Sequence, residues 1–135
     1  IRLCWLNRLG TWDYYNFDKK STKNTSSKRS VYKKTYGTWQ AETWDYGTYE
    51  GGVSSYEVNA VESIIANTDF ITEDEAKVLE ELFTSPQVFM QNDDGNFEPV
   101  VVTDKNYTRQ TKANDMVIQY IIGVEKSNKK RIQTL

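Results

Sequence analysis

TEDEAKVLEELFTSPQVFMQNDDGNFEPVVVT, residues 72–103, is the stretch that decides the fold. Its first half predicts a helix over 73–84. Thr72 can cap that helix, and Glu75, three residues on, completes the capping-box pattern. Glu73, Asp74 and Glu75 suit the positive end of the helix dipole. Ala76, Leu79 and Phe83 form one apolar stripe with Val78 and Leu82 beside it, and Pro86 forces the chain out of helical geometry. The second half changes period. QVFMQ (87–91) and NFEPVVVT (96–103) read as strands joined by the turn NDDG (92–95). Pro99 belongs on an edge or at a bulge. One amphipathic helix next to a hairpin predicts a helix covering one face of a sheet.

Working outward, strand signals dominate. Residues 2–7 and 12–17 read as strands separated by a turn at Gly10, and 31–36 has strand character. From Tyr56 the chain alternates, so 54–67 reads as a strand with a bulge near 60–61; Val58, Val61 and Ile65 also fit helical spacing, and that alternative stays open. Residues 115–126 form the longest strand candidate, with a turn near 104–106 and a short segment at 107–111 before it. The tail from Ser127 is polar and basic. The expectation is a mainly β fold, a β-sandwich or barrel-like domain with one helix packed on it and long loops. At 135 residues it is one domain, 1–135. The chain opening at Ile1 reads as a processed product, a cloned domain or a piece of a longer protein.

Two stretches read as excursions. Residues 18–30 contain no apolar side chain and are expected to form a mobile basic loop, which orders against a partner. Residues 37–52 combine Trp39, Trp44, Tyr46 and Tyr49 with Gly37, Gly47, Gly51 and Gly52, and read as a long loop or irregular hairpin. Gly-Thr-Trp occurs at 10–12 and 37–39, and Thr-Trp-Asp-Tyr at 11–14 and 43–46. The two spacings share no register, so a structural repeat is disfavoured.

Composition prunes the chemistry. There is no histidine, which removes Ser–His–Asp and Cys–His catalysis and His-bearing zinc sites. The single cysteine, Cys4, excludes an intramolecular disulfide and reads as a small buried hydrophobe between Leu3 and Trp5. No apolar run is long enough to span a membrane as a helix. The acid cluster at 73–75 is explained by helix polarity, and NDDGNFE (92–98) lacks the spacing of a calcium loop. A carboxylate-pair enzyme is the weakest reading. No catalytic residue, cofactor or metal is expected. Sequon matches at 24–26 and 106–108 carry little weight, because such matches are common by chance.

Charge is unevenly placed. Residues 1–35 hold nine Lys/Arg and two Asp, whereas residues 36–99 hold Lys77 alone against fourteen acids. A basic end and an acidic middle attract a neighbouring copy head to tail. Lys19, Lys20, Lys28 and Arg29 are the cations expected to meet an acidic partner surface. A sequence pI near 5.2 and the lack of a motif count against nucleic acid. The aromatics Trp39, Trp44, Tyr46 and Tyr49 suit either a protein anchor or a sugar platform.

The chain resembles small tail or other virion structural proteins of bacteriophages, of the kind found in phages of Bacteroidetes hosts. The resemblance rests on CWLNRLGTWDYYNF (4–17), similar to a Trp-Leu-Asn-x-Leu-Gly-Gly-Trp-Asp opening but with Thr11 in place of the second Gly. It also rests on FITEDEAKVLEELFTSPQVF (70–89) and on PVVVTDK (99–105) followed by the closing strand through Glu125, Ser127 and Asn128. It does not cover 18–56. It implies a non-enzymatic structural role in the virion, with the chain made in the bacterial host cytoplasm. The implied partners are other copies of the chain and neighbouring virion proteins. The main rival is a carbohydrate- or receptor-binding module, with a host surface glycan on the exposed rings.

Overall fold

The structure, a computed structural model, describes residues 1–104, 106 and 118–130. The expected segment at 107–111, the first residues of the 115–126 strand, the 106–108 sequon and the end of the tail lie outside the described residues. The strands are β1 (Arg2–Leu6), β2 (Trp12–Asn16), β3 (Thr22–Lys33), β4 (Thr38–Gln40), β5 (Thr43–Asp45), β6 (Val53–Asn67), β7 (Val88–Gln91), β8 (Phe97–Val102) and β9 (Ile121–Lys126), with one helix, α1 (Glu73–Thr84). Seven strands form one antiparallel sheet in the order β2-β1-β7-β8-β9-β6-β3, and β4 and β5 form a separate hairpin. The chain is mainly β.

The connectivity forces this sheet to curl. β2 and β3 are its two edges, yet they follow one another in the chain. Laid flat, seven strands would put the edges roughly 29 Å apart at a spacing of about 4.8 Å. The chain from Asn16 to Thr22 reaches no further than about 22 Å. The edges therefore bend towards each other, and β3 residues Lys23 to Thr25 line the same hollow as Ile1 on the β1 side. Asn67 ties the crossing segment down by donating to the Lys20 carbonyl at 2.7 Å. Lys19 pairs with Asp69 at 3.3 Å.

The concave face holds the core. Strand alternation turns Leu3, Trp5, Ile64, Ala66, Val88, Met90, Val100, Ile122 and Val124 inward, all buried in one cluster. The helix closes over them with Ala76, Leu79 and Leu82. Phe83 is partly buried, but Val78 is exposed, so the apolar stripe is one residue narrower than its sequence predicts. The cap forms as expected: Thr72 Oγ1 accepts from the Glu75 backbone, and Glu75 accepts from the Thr72 N–H at 2.8 Å. The NDDG turn also forms, with Gly95 at φ 84° and Asn92 Oδ1 accepting from the Asn96 N–H.

Three expectations about the strands need correction. Thr22 to Ser30 are not a loop but the first nine residues of β3, which ends at Lys33 and so takes in only the first half of the strand expected at 31–36. Its backbone is satisfied by pairing along β6, so it needs no burial of its own. The bulge lies not at 60–61 but where Ser30 faces Glu57 and Val31 faces Ser55, leaving Tyr56 unpaired. Val61 looked like a break in period because both faces of β6 carry apolar side chains there: Ala60 and Ile64 point inward, Val61 and Ile65 outward. The last strand is shorter than expected, starting at Ile121; Ile118 instead makes an isolated bridge to Ile71.

The duplicated Gly-Thr-Trp has a local cause. Gly10 and Gly37 both take the left-handed conformation, with φ of 80° and 74°, and each leads directly into a strand that presents its Trp outward. It is a turn device used twice.

Candidate interaction surfaces

β3 and β6 continue together beyond the sheet. β9 pairs with β6 only from Ser63 to Asn67, and Lys130 adds one bridge at Ala60. Beyond Ala60 the pairs from Lys28↔Asn59 to Lys33↔Val53 have no third strand among the described residues. This two-stranded arm is roughly 20 Å long at about 3.3 Å per residue. Val31, Tyr32, Val53, Tyr56 and Val58 are exposed on it, and the Tyr32 and Tyr56 rings lie 6.2 Å apart across the bulge.

The β4–β5 hairpin forms the tip of the arm. Of the two forms expected for 37–52, a long loop or an irregular hairpin, the chain adopts a hairpin, with Trp39 directly opposite Trp44. Trp39 and Trp44 meet edge to face at 5.5 Å, and Tyr36 sits between Trp44 and Tyr46 at 6.4 and 5.5 Å. Gly37 is packed so closely that a Cβ there would come within 2.7 Å of the Asp45 carbonyl, and its N–H donates to Glu50 at 2.6 Å. The rings remain open to solvent: Trp39 is 69% exposed, Tyr46 55% and Trp44 37%. The structure therefore gathers Trp44 and Tyr46 around Tyr36, with Trp39 packed on Trp44. Tyr49 stands apart, 90% exposed, with its ring against Gly47.

The four expected cations are not brought together. Lys19 and Lys20 lie on the segment that crosses between the sheet edges, whereas Lys28 and Arg29 sit on the arm, on opposite faces of β3.

A second surface was missed in the sequence. On the convex face of the sheet, Cys4, Trp12, Phe89 and Phe97 line an open hollow of about 360 Å³. The register puts Cys4 opposite both Tyr14 and Phe89, with Trp12 and Phe89 edge to face at 5.6 Å. Cys4 is thus half-buried on the outer face, not in the core, because alternation places it opposite to Leu3 and Trp5. Burial in this apolar lining pushes its thiol pKa up. Tyr14, on the same face, carries Arg2 over its ring at 5.1 Å. The signal for this surface was the alternation of 2–6, 12–16, 88–91 and 97–102, each with apolar residues on both faces.

The inner face ends in charge. Lys126 meets Glu98 at 2.9 Å and Glu62 at 3.0 Å, and Lys130 meets Glu62 at 2.8 Å. Hydrogen bonds from Lys130 and Lys126 hold the Glu62 carboxyl down from the usual 4.5 to about 2. Lys126, and then Asn92, lower that of Glu98, and these carboxylates raise Lys126 in turn. The adjoining hollow of about 180 Å³ is lined by Lys23, Asn24, Glu62, Gln91 and Asn92 among others. Glu62 and Lys126 of this lining are paired with each other, so the Glu62, Glu98, Lys126 and Lys130 cluster forms a plug of ion pairs below the core.

Among the described residues no group of three or more His, Cys, Asp or Glu is placed to hold a metal ion. No described helix is long and apolar enough to cross a membrane. Comparison with protein-family models, with curated proteins and with solved structures finds no match to this chain.

Proposed function

We propose that this chain is a non-enzymatic structural component of a phage virion, tail-associated, that assembles with other copies of itself and with neighbouring virion proteins. The observation that carries the assembly reading is the arm. A two-stranded ribbon is marginal alone in water, and this one leaves Val31, Val53, Tyr56 and Val58 exposed and ends on a cluster of open rings. Apolar surface of that extent on a projecting element marks a contact with another chain. The virion setting is supported by the resemblance of 4–17, 70–89 and 99–105 to phage virion proteins. The outer edge of β3, which pairs with no strand among the described residues, carries Lys23, Lys28, Arg29 and Lys33, which guard it against indiscriminate strand pairing.

Hydrogen exchange tests the assembly reading. Amides of 28–33 and 53–59 are expected to exchange fast in dilute protein and to become protected as concentration rises. Exchange that stays fast at every concentration contradicts it.

One observation favours a second reading, a carbohydrate- or receptor-binding module. Trp39, Trp44 and Tyr46 are gathered and solvent-exposed at a projecting tip. A glycan-array hit abolished by Trp39→Ala would support that reading over assembly.

A further inference from the structure

The arm tip and the convex hollow are both apolar, both open, and not in contact with each other. The hollow is lined by β1, β2, β7 and β8 residues alone, and the tip rings pack on one another and on Tyr36. Their charges are complementary. Tip residues 37–52 include Glu42, Asp45 and Glu50 and no Lys or Arg. On the outward positions of β1, β2, β7 and β8, which are Arg2, Cys4, Leu6, Trp12, Tyr14, Asn16, Phe89, Gln91, Phe97, Pro99 and Val101, the single charge is Arg2. Size also fits, since a cavity of roughly 150 Å³ already accepts benzene, and this hollow offers about 360 Å³.

We propose that the hollow formed by Cys4, Trp12, Phe89 and Phe97 receives the aromatic tip of a second copy of this chain, with Trp39 as the inserting ring and Arg2 facing the acidic tip. This rests on the assembly reading above and names its surfaces. A chain's own tip does not fill its own hollow: the hollow opens on the convex face, and none of the residues that line it comes from β3, β4, β5 or β6. The contact joins two different surfaces, so it is head to tail and generates a ring or a filament.

Two variants and the lone cysteine test it. Trp39→Ala disables the tip and leaves the hollow intact. Phe97→Glu places a carboxylate at the hollow and leaves the tip intact; Phe97 is exposed, so the core is untouched. Thermal melts establish that both are folded. Mass by light scattering after size exclusion, and the rate of Cys4 alkylation by a water-soluble maleimide, are followed over concentration. Wild type is expected to grow beyond a monomer while its Cys4 slows at least several-fold. Each variant alone is expected to stay monomeric. Their equimolar mixture is expected to stop at a dimer in which Cys4 of the Trp39→Ala chain alone is protected. Wild-type oligomers that survive in both variants, or in which Cys4 reacts at the monomer rate, overturn this contact but leave the assembly reading standing. A wild type that is monomeric throughout, with an unprotected arm, overturns both.

Discussion

Lys126 places its Nζ 3.0 Å from Glu62, from a neighbouring strand and on the inner face of the curled sheet. The pair, joined by Glu98 and Lys130, closes the polar end of the interior. The Glu62 pKa is depressed to about 2 from the usual 4.5. Its contribution to stability is therefore complete above pH 4.5 and is lost as pH falls towards 2. Glu98, also lowered, acts in the same direction. Glu62→Gln is expected to be less stable than wild type at neutral pH, with the gap shrinking through that acid window. Urea midpoints measured at several pH values check this, and a gap that does not change with pH contradicts it.

Thr72 and Glu75 exchange both hydrogen bonds of a capping box. Thr72→Ala should lower stability by about 1 kcal/mol. The loss should appear in urea unfolding and in faster exchange of the first-turn amides of α1. Unchanged stability would mean that the helix end is held by its packing alone.

Leu79 is fully buried between the helix and the concave face. Leu79→Ala is expected to cost roughly 2–5 kcal/mol. The same change at exposed Val78 should cost well under 1 kcal/mol, as surface substitutions do. Chemical denaturation of both variants separates the two positions.

Gly37 holds a φ of 74° with no room for a Cβ. Gly37→Ala should disorder the tip and leave the core alone, because the tip hairpin is a separate sheet. The expected signature is a changed near-ultraviolet circular dichroism signal from Trp39 and Trp44, with the main thermal transition unmoved. A lowered main transition would show that tip and core fold as one unit.

How much of this was legible in the sequence depended on whether an element's cause was local. The helix at 73–84 and the turn at 92–95 were readable to the residue, because Thr72, Pro86 and Gly95 act on their immediate neighbours. The strands at 2–7 and 12–17 were readable from β-propensity around Gly10. The strand character of 22–30 was not. Its side chains are polar throughout, and its conformation is imposed by hydrogen bonding to β6, from 27 residues away at Ser30↔Glu57 to 43 at Thr22↔Ile65. Burial patterns are silent where a strand is held by its backbone alone. The same limit hid the convex hollow. Cys4, Trp12, Phe89 and Phe97 come from four strands, and only the sheet order makes them neighbours. The tip rings were found because Trp39 and Trp44 are close in sequence. Lys19 and Lys20 were grouped with Lys28 and Arg29 by sequence proximity, but Thr22 starts a strand that carries the second pair away from the first.

The central claim is that this chain assembles through the aromatic tip of its arm. Replacing residues 34–52 by an Asn-Gly turn would join Lys33 to Val53 as a two-residue hairpin and remove the tip while keeping the paired ribbon. The decisive measurement is the solution mass of this shortened chain and of the full chain, by light scattering over the same range of concentration and salt. The account predicts a ring or filament larger than a monomer for the full chain, weakened by salt, and a monomer for the shortened one. A full chain that stays monomeric at every concentration, or a shortened chain that assembles equally well, would contradict it.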